Sequence, residues 1–235
     1  YKAGKDLNQL TLDLAEDITI VRDFLAARGL CLNPDKTQFI IFRSKSTPLT
    51  PDVSLQLNNT SIAPLPEVKY LGIVLDEHLT FGAHIAHLER NIGNKIAVFR
   101  KIRHQLTEHA KKTFYISSIQ SVLECGSNAF AHCLREGQYE RLVRLSRRAL
   151  RTVFNLTRFN SISALQKRNH LLPLAARYQL RLFVLIFRSL NDLASPLLSS
   201  CFSLRSASSH TNSRTRSQVS KALTLPAALN RYGLF

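Results

Sequence analysis

The sequence predicts an α+β fold in which one helix and a small antiparallel sheet come first and an all-helical region follows. Between residues 30 and 77 apolar residues alternate or cluster in short β-branched runs, whereas beyond residue 80 they recur at three- and four-residue spacing. The charge changes at the same place. Residues 1–80 hold eight Lys/Arg against ten Asp/Glu, net −2, and residues 81–235 hold 24 against six, net +18. At 235 residues and 45% hydrophobic content, the chain can bury one large or two modest cores. The expected divisions are 1–80, 81–198 and a loosely structured basic segment, 199–235.

Lys5 to Arg28 reads as an amphipathic helix because Leu7, Leu10, Leu14, Ile18, Val21 and Leu25 form one stripe. Asp6 is placed to cap its start and Gly29 to close its end. Short strands are expected at Leu30–Leu32, at Thr37–Arg43 and at Val53–Leu57, the last leading through the turn Asn58-Asn59-Thr60 into Ile62. Val68–Leu75 reads as a further strand broken by Gly72. The helical region begins with the stripe Ile85, Leu88, Ile92, Ile96 and Phe99. Thr107 caps a second helix carrying Ala110, Phe114 and Val122; a third spans Gln138–Phe154; Pro173 starts a last helix, Leu174–Leu190. Apolar almost all round, that last helix is expected to be the core of the second unit. From Ser199 to Ser220 serine, threonine and arginine dominate with no acid, the composition of a loose basic segment.

Composition narrows the function classes. The four cysteines are scattered without a CxxC pair and nothing resembles a signal peptide, which points to reduced thiols in an intracellular protein. The most apolar run, Leu182–Phe187, lies between Arg181 and Arg188 and is far too short to cross a bilayer. His84 with His87, and His132 beside Cys133, have no further ligand at a zinc-like interval, so no metal site is expected. No nucleophile-elbow or phosphate-cradling glycine motif is present. The chain has no methionine and begins at Tyr1, which reads as a piece of a longer product.

What remains is the positive charge, which attracts polyanions, nucleic acid foremost, with an acidic membrane surface or a solubility device as the other readings. Its sharpest expression is the helix Gln138–Phe154. At 100° per residue Tyr139, Leu142, Val143, Leu150 and Val153 fall on one side, and Arg141, Arg144, Arg148 and Arg151 fall opposite them. A solvated face usually mixes signs, and here the nearby acids are confined to Glu136 and Glu140 at the start.

LNPDKTQFIIF, followed about thirty residues later by VKYLGIVLD and then by a helical region with LECGSNAF, resembles the reverse transcriptases of non-LTR (LINE-type) retrotransposons. Even HTNSRTRSQVSKALTLPAALNRYGLF is similar to the family's segment beyond the thumb. The resemblance implies that residues 1–80 are the C-terminal part of a polymerase palm and that the helices beyond are its thumb and downstream region. It makes Lys36 the palm lysine that protonates departing pyrophosphate as a general acid. It makes Tyr70, Leu71 and Gly72 the primer grip. On the residues alone, Lys36 is an ordinary turn lysine and YLG a strand with a bulge. The implied partners are an RNA template and a DNA primer, as an RNA:DNA hybrid, together with the missing N-terminal palm and fingers; the implied site of action is the nucleus. The parent enzyme would use Mg²⁺, held by an aspartate motif and an [FY]ADD turn. This chain has no Asp-Asp pair, Asp76-Glu77 reads as a solvated turn, and Glu16 and Asp17 diverge by about 100° on a helix. The chain alone is therefore expected to bind no Mg²⁺ and to be inactive, and the ADD turn is expected just upstream of Tyr1. The other reading is a non-catalytic nucleic-acid-binding module or the relic of a decayed element.

Overall fold

The structure, a computed structural model, describes residues 1–4, 6–48, 53–57, 60–204 and 223–224. It is α+β: antiparallel two-stranded pairings accompany a majority of helix. The chain divides into two compact units, Tyr1–His87 and Leu88–Phe235.

In the first unit, α1 (Leu7–Ala26) starts where Asp6 accepts hydrogen bonds from the backbone N–H groups of Asn8 and Gln9 at 3.0 and 3.4 Å. It ends in a Schellman motif: Gly29, at φ 71°, lets Leu30 N–H reach the Leu25 carbonyl and its own N–H reach that of Ala26, both at 3.0 Å. Because Leu30 is used in that cap, the strand expected at Leu30–Leu32 does not form. β1 (Leu55–Leu57) pairs with β2 (Thr60–Ile62), matching Leu55 to Ile62 and Leu57 to Thr60. Leu55 and Leu57 are buried, and α1 packs on their strand. Asn58 and Asn59, read as the turn, lie outside the described residues.

Two further strand expectations fail for identifiable reasons. Thr37–Arg43 is extended but is no regular strand; it is strapped by Leu65 N–H to the Phe39 carbonyl at 2.8 Å and by Arg43 N–H to that of Glu77 at 2.9 Å. Pro64 and Pro66 flank Leu65 and have no N–H, so a continuous ladder cannot be built there. Val68–Leu75 is a hairpin, with β3 (Glu67–Tyr70) paired to β4 (Ile73–Asp76) and Tyr70 opposite Ile73. Leu71 and Gly72, at φ 48° and 88°, both occupy the left-handed region, as a two-residue turn of type I′ requires.

Asp76 closes this hairpin onto the next helix, α2 (Gly82–Ile102). Its carboxylate accepts from the N–H groups of His78, Thr80 and Phe81 at 3.2, 3.0 and 2.7 Å and from the Thr80 hydroxyl at 3.2 Å. Glu77 is paired with Arg43 at 2.8 Å and lies 3.4 Å from His78. Asp76-Glu77 is thus a structural knot and not the solvated turn expected from sequence.

His84, 1% exposed on α2, accepts the Val74 N–H at Nδ1, 3.4 Å away. Burial first, and His87 second, lower its pKa from 6.5 to about 4. The folded pKa lies below the unfolded one, so the neutral ring contributes stability that is present above pH 6.5 and is lost as pH falls towards 4. Up to about 3 kcal/mol is expected to disappear over that window. Denaturant midpoints at pH 7.5 and 4.5 should show a larger gap for the parent chain than for His84→Leu; equal gaps would exclude His84 as the source.

In the second unit Leu88, Ile92, Ile96 and Phe99 of α2 are all buried, as their spacing predicts. Thr107 caps α3 (Glu108–Phe114) through the Ala110 N–H at 3.3 Å, and Phe114 stacks on Phe99 at 4.0 Å. The helix continues as a π turn, Tyr115–Gln120, in which Ser121 N–H reaches back to the Ile116 carbonyl, then as α4 (Ser121–Glu124). A π turn holds one residue more than an α turn, so the apolar register steps from Ala110 and Phe114 to Tyr115, Ile119 and Leu123; these three are buried, whereas Val122 is half-buried. Gly126, at φ 65°, turns the chain into α5 (Ser127–Phe130). Then come α6 (Glu136–Val153), α7 (Ile162–Arg168), α8 (Leu174–Leu190) and α9 (Pro196–Ser200). β5 (Ser203–Leu204) pairs with β6 (Leu223–Thr224). Residues 205–222 of the basic segment lie outside the described residues.

Pro173 starts α8 as expected, but α8 is not the core. It buries Leu174, Arg177, Tyr178 and Ser189 and leaves Leu180, Phe183, Val184 and Phe187 exposed. The core lies where Ile96, Ile119, Leu123, Phe130, Leu142, Leu150 and Val153 meet, each at most 1% exposed.

Candidate nucleic-acid interface

Helix α6 presents a row of arginines on one face. Leu142, Leu145, Ala149, Leu150 and Val153 anchor one side, and Gln138 accepts the Arg135 N–H at 3.0 Å where the helix begins. The opposite side carries the arginines, which are not equivalent. Arg141 is tied to Glu89 of α2 through a two-pronged contact at 3.0 and 2.5 Å. That hydrogen bond holds the Glu89 carboxyl below its ordinary pKa and raises Arg141. Arg151 donates to the Thr157 carbonyl and is half-buried. Arg144 leans on the Glu140 carbonyl at 3.4 Å and is exposed, as is Arg148.

Three further residues join the surface. Arg147 is exposed on the margin of the same face. In the α6–α7 connection, Phe159 is 82% exposed with the Arg158 guanidinium 4.8 Å above its ring. An open aromatic beside cations is the arrangement on which an unpaired base can stack. Sequence spacing missed Arg147 because it lies at the edge of the stripe, and missed Phe159 because a loop has no period; an arginine next to an aromatic between two basic helices was the available signal.

The predicted residues of the first unit occupy two turns. Lys36 ends the short 3₁₀ turn Pro34–Lys36, which Asn33 fixes by accepting from the Asp35 N–H at 2.9 Å and from the Thr37 hydroxyl at 2.8 Å. Its side chain is exposed. Tyr70, Leu71 and Gly72 form the tip of the β3–β4 hairpin, with Tyr70 63% and Leu71 79% exposed. A leucine in the left-handed region is strained by roughly 1 kcal/mol, and one this exposed recovers little through packing. Leu71→Asn, which tolerates that conformation, is expected to stabilise the chain by roughly 0.5–1 kcal/mol. A thermal midpoint unchanged or lower in this variant would remove the strain.

A cleft of about 550 Å³ between the π turn and α8 also contains arginines, Arg177, Arg181 and Arg188. Glu124 pairs with the first two, so they offer little to an anion. Among the described residues no three His, Cys, Asp or Glu side chains are grouped so as to hold a metal ion. No helix among them is long and apolar enough to cross a membrane.

The chain is 26% identical over 150 residues to a protein of Drosophila melanogaster described as "Probable RNA-directed DNA polymerase from transposon BS". The match covers 62% of this chain and 16% of that protein, so the chain spans a small part of its relative's length. No family model and no solved structure matches it.

Proposed function

We propose that the chain is the C-terminal palm and thumb portion of an RNA-directed DNA polymerase of a non-LTR retrotransposon and that it holds the template and primer without polymerising by itself. The observation that carries this is the exposed face of α6, where Arg144, Arg147 and Arg148 stand together opposite a fully buried face. Exposed guanidinium groups in a row bind the phosphates of a duplex backbone with little regard to sequence. The similarity to the transposon polymerase supports the class of partner.

In this reading the hairpin tip Tyr70-Leu71-Gly72 abuts the primer's end, Gly72 allowing the backbone to come close. Within the assembled polymerase, Lys36 gives its ammonium proton to the departing pyrophosphate oxygen as the P–O bond breaks. The capped turn beneath it fits that role by fixing where the lysine starts.

Salt-titrated binding of an RNA:DNA hybrid tests the reading. With about three phosphates engaged, log K should fall with log salt at a slope near −3. Arg144→Ala with Arg148→Ala should make the slope shallower by about two and weaken binding alike for different sequences. An unchanged slope in the double variant would eliminate this face, and no binding at low salt would favour a decayed element over a working part.

A further inference from the structure

Helix α6 leads into a connection that holds an aromatic ring out in water. The chain leaves the helix by a Schellman motif: Asn155, at φ 54°, lets Leu156 N–H reach the Arg151 carbonyl at 2.8 Å. A tight turn follows, closed by Asn160 N–H to the Thr157 carbonyl at 3.2 Å, and the Asn160 side chain accepts from the Thr157 N–H and hydroxyl at 2.8 and 2.7 Å. Arg158 and Phe159 are the two residues at the tip of that turn. Ser161 then caps α7 through the Ala164 N–H at 3.3 Å. Arg151, in the last turn of α6, donates to the Thr157 carbonyl, so the arginine row of the helix runs directly into the turn. The backbone of Phe159 is thus tied down on both sides, while its ring stands 82% exposed beneath the Arg158 guanidinium.

We propose that Phe159 is a stacking platform for an unpaired nucleobase, at the point where a duplex held by α6 opens into a single strand. The proposal rests on the reading of α6 as the phosphate-binding face. Charge selects nucleic acid as the occupant: no Asp or Glu occurs between Glu140 and Asp192, a run that holds eleven Lys/Arg, and Lys167 and Arg168 stand exposed in the last turn of α7. The ring selects an unpaired base. Inside a duplex the faces of each base are covered by its neighbours, whereas a single strand offers a face to an aromatic side chain whatever its sequence. Arg158 covers one face of the ring and leaves the other for the base. A protein partner is a poorer occupant, because Arg158, Asn160 and Ser161 around the ring are polar and form no apolar patch with it. Since the turn is already fixed by its own hydrogen bonds, stacking there orders little that was free.

Two hybrids separate bases from phosphates. Each is an RNA:DNA hybrid whose RNA strand carries a short overhang at both ends, with its bases in one and abasic in the other. The full chain should bind the base-bearing overhang about five- to a hundredfold more tightly, the worth of one stacked base. Phe159→Ala, at a position too exposed to leave a cavity, should bring the two affinities together, and Phe159→Tyr should keep them apart. The sequence has no tryptophan, so Phe159→Trp introduces a sole indole, whose emission should be quenched by the base-bearing overhang and not by the abasic one. Equal affinities in the parent chain, or a difference that Phe159→Ala leaves in place, would overturn the proposal. Failure of the α6 reading shows separately, as a blunt hybrid that is not bound at low salt. In that case quenching of the indole by free single-stranded RNA would keep the platform without the duplex, and no quenching would sink both.

Discussion

Glu124→Gln is expected to lower the stability of the second unit by about 3–5 kcal/mol. The Glu124 carboxylate is 13% exposed and serves two guanidinium groups at once, that of Arg177, 7% exposed, and that of Arg181 at 2.7 and 3.0 Å. Arg177 is so far from water that burial lowers its pKa to about 10. Taking away the carboxylate's charge leaves that cation enclosed and uncompensated, which is the costly way to break a buried pair. Removing both partners is different: Glu124→Gln with Arg177→Met deletes the charge that needed compensation, and much of the loss should be recovered. Denaturant midpoints of the parent, both single variants and the double variant form the cycle. A single variant as stable as the parent would mean that water, and not Glu124, balances Arg177.

Phe130→Ala should cost about 3–5 kcal/mol by a separate mechanism, the cavity left in a close-packed core. Phe130 is fully buried at the end of α5 and meets Tyr178 edge-on at 6.3 Å. Tyr178 in turn donates its hydroxyl hydrogen to the Leu123 carbonyl at 2.9 Å, so one aromatic pair joins α4, α5 and α8. Phe130→Leu keeps most of the volume and should cost less than about 2 kcal/mol. Similar losses for Ala and Leu would show that the site collapses around the missing ring, and the joint would then be softer than its burial implies.

Local signals made much of the fold legible. α1 announced itself by a stripe with a cap at each end, and α2 by five apolar residues in step that are all buried. What escaped reading depended on partners distant in sequence or on a broken period. Arg141 looked equivalent to its neighbours on α6 because Glu89, which engages it, lies 52 residues away. The β3–β4 turn was hidden because Leu-Gly is a poor signature for a turn that usually takes Asn-Gly; only the observed φ values reveal it. α8 misled in the other direction, since an apolar residue is equally apolar whether it faces the core or stands uncovered.

The π turn at Tyr115–Gln120 has a consequence for how this sequence can change over time. One residue more than an α-helix needs is lodged there, and a single-codon deletion would heal the backbone into a regular helix. Healing would also rotate α3 by about 100° against everything that follows, turning Phe114 away from Phe99. A shortened chain would therefore regain its packing only if the preceding helix found a new seat for Phe114, so the length of this helix is held by the ring contact at its far end.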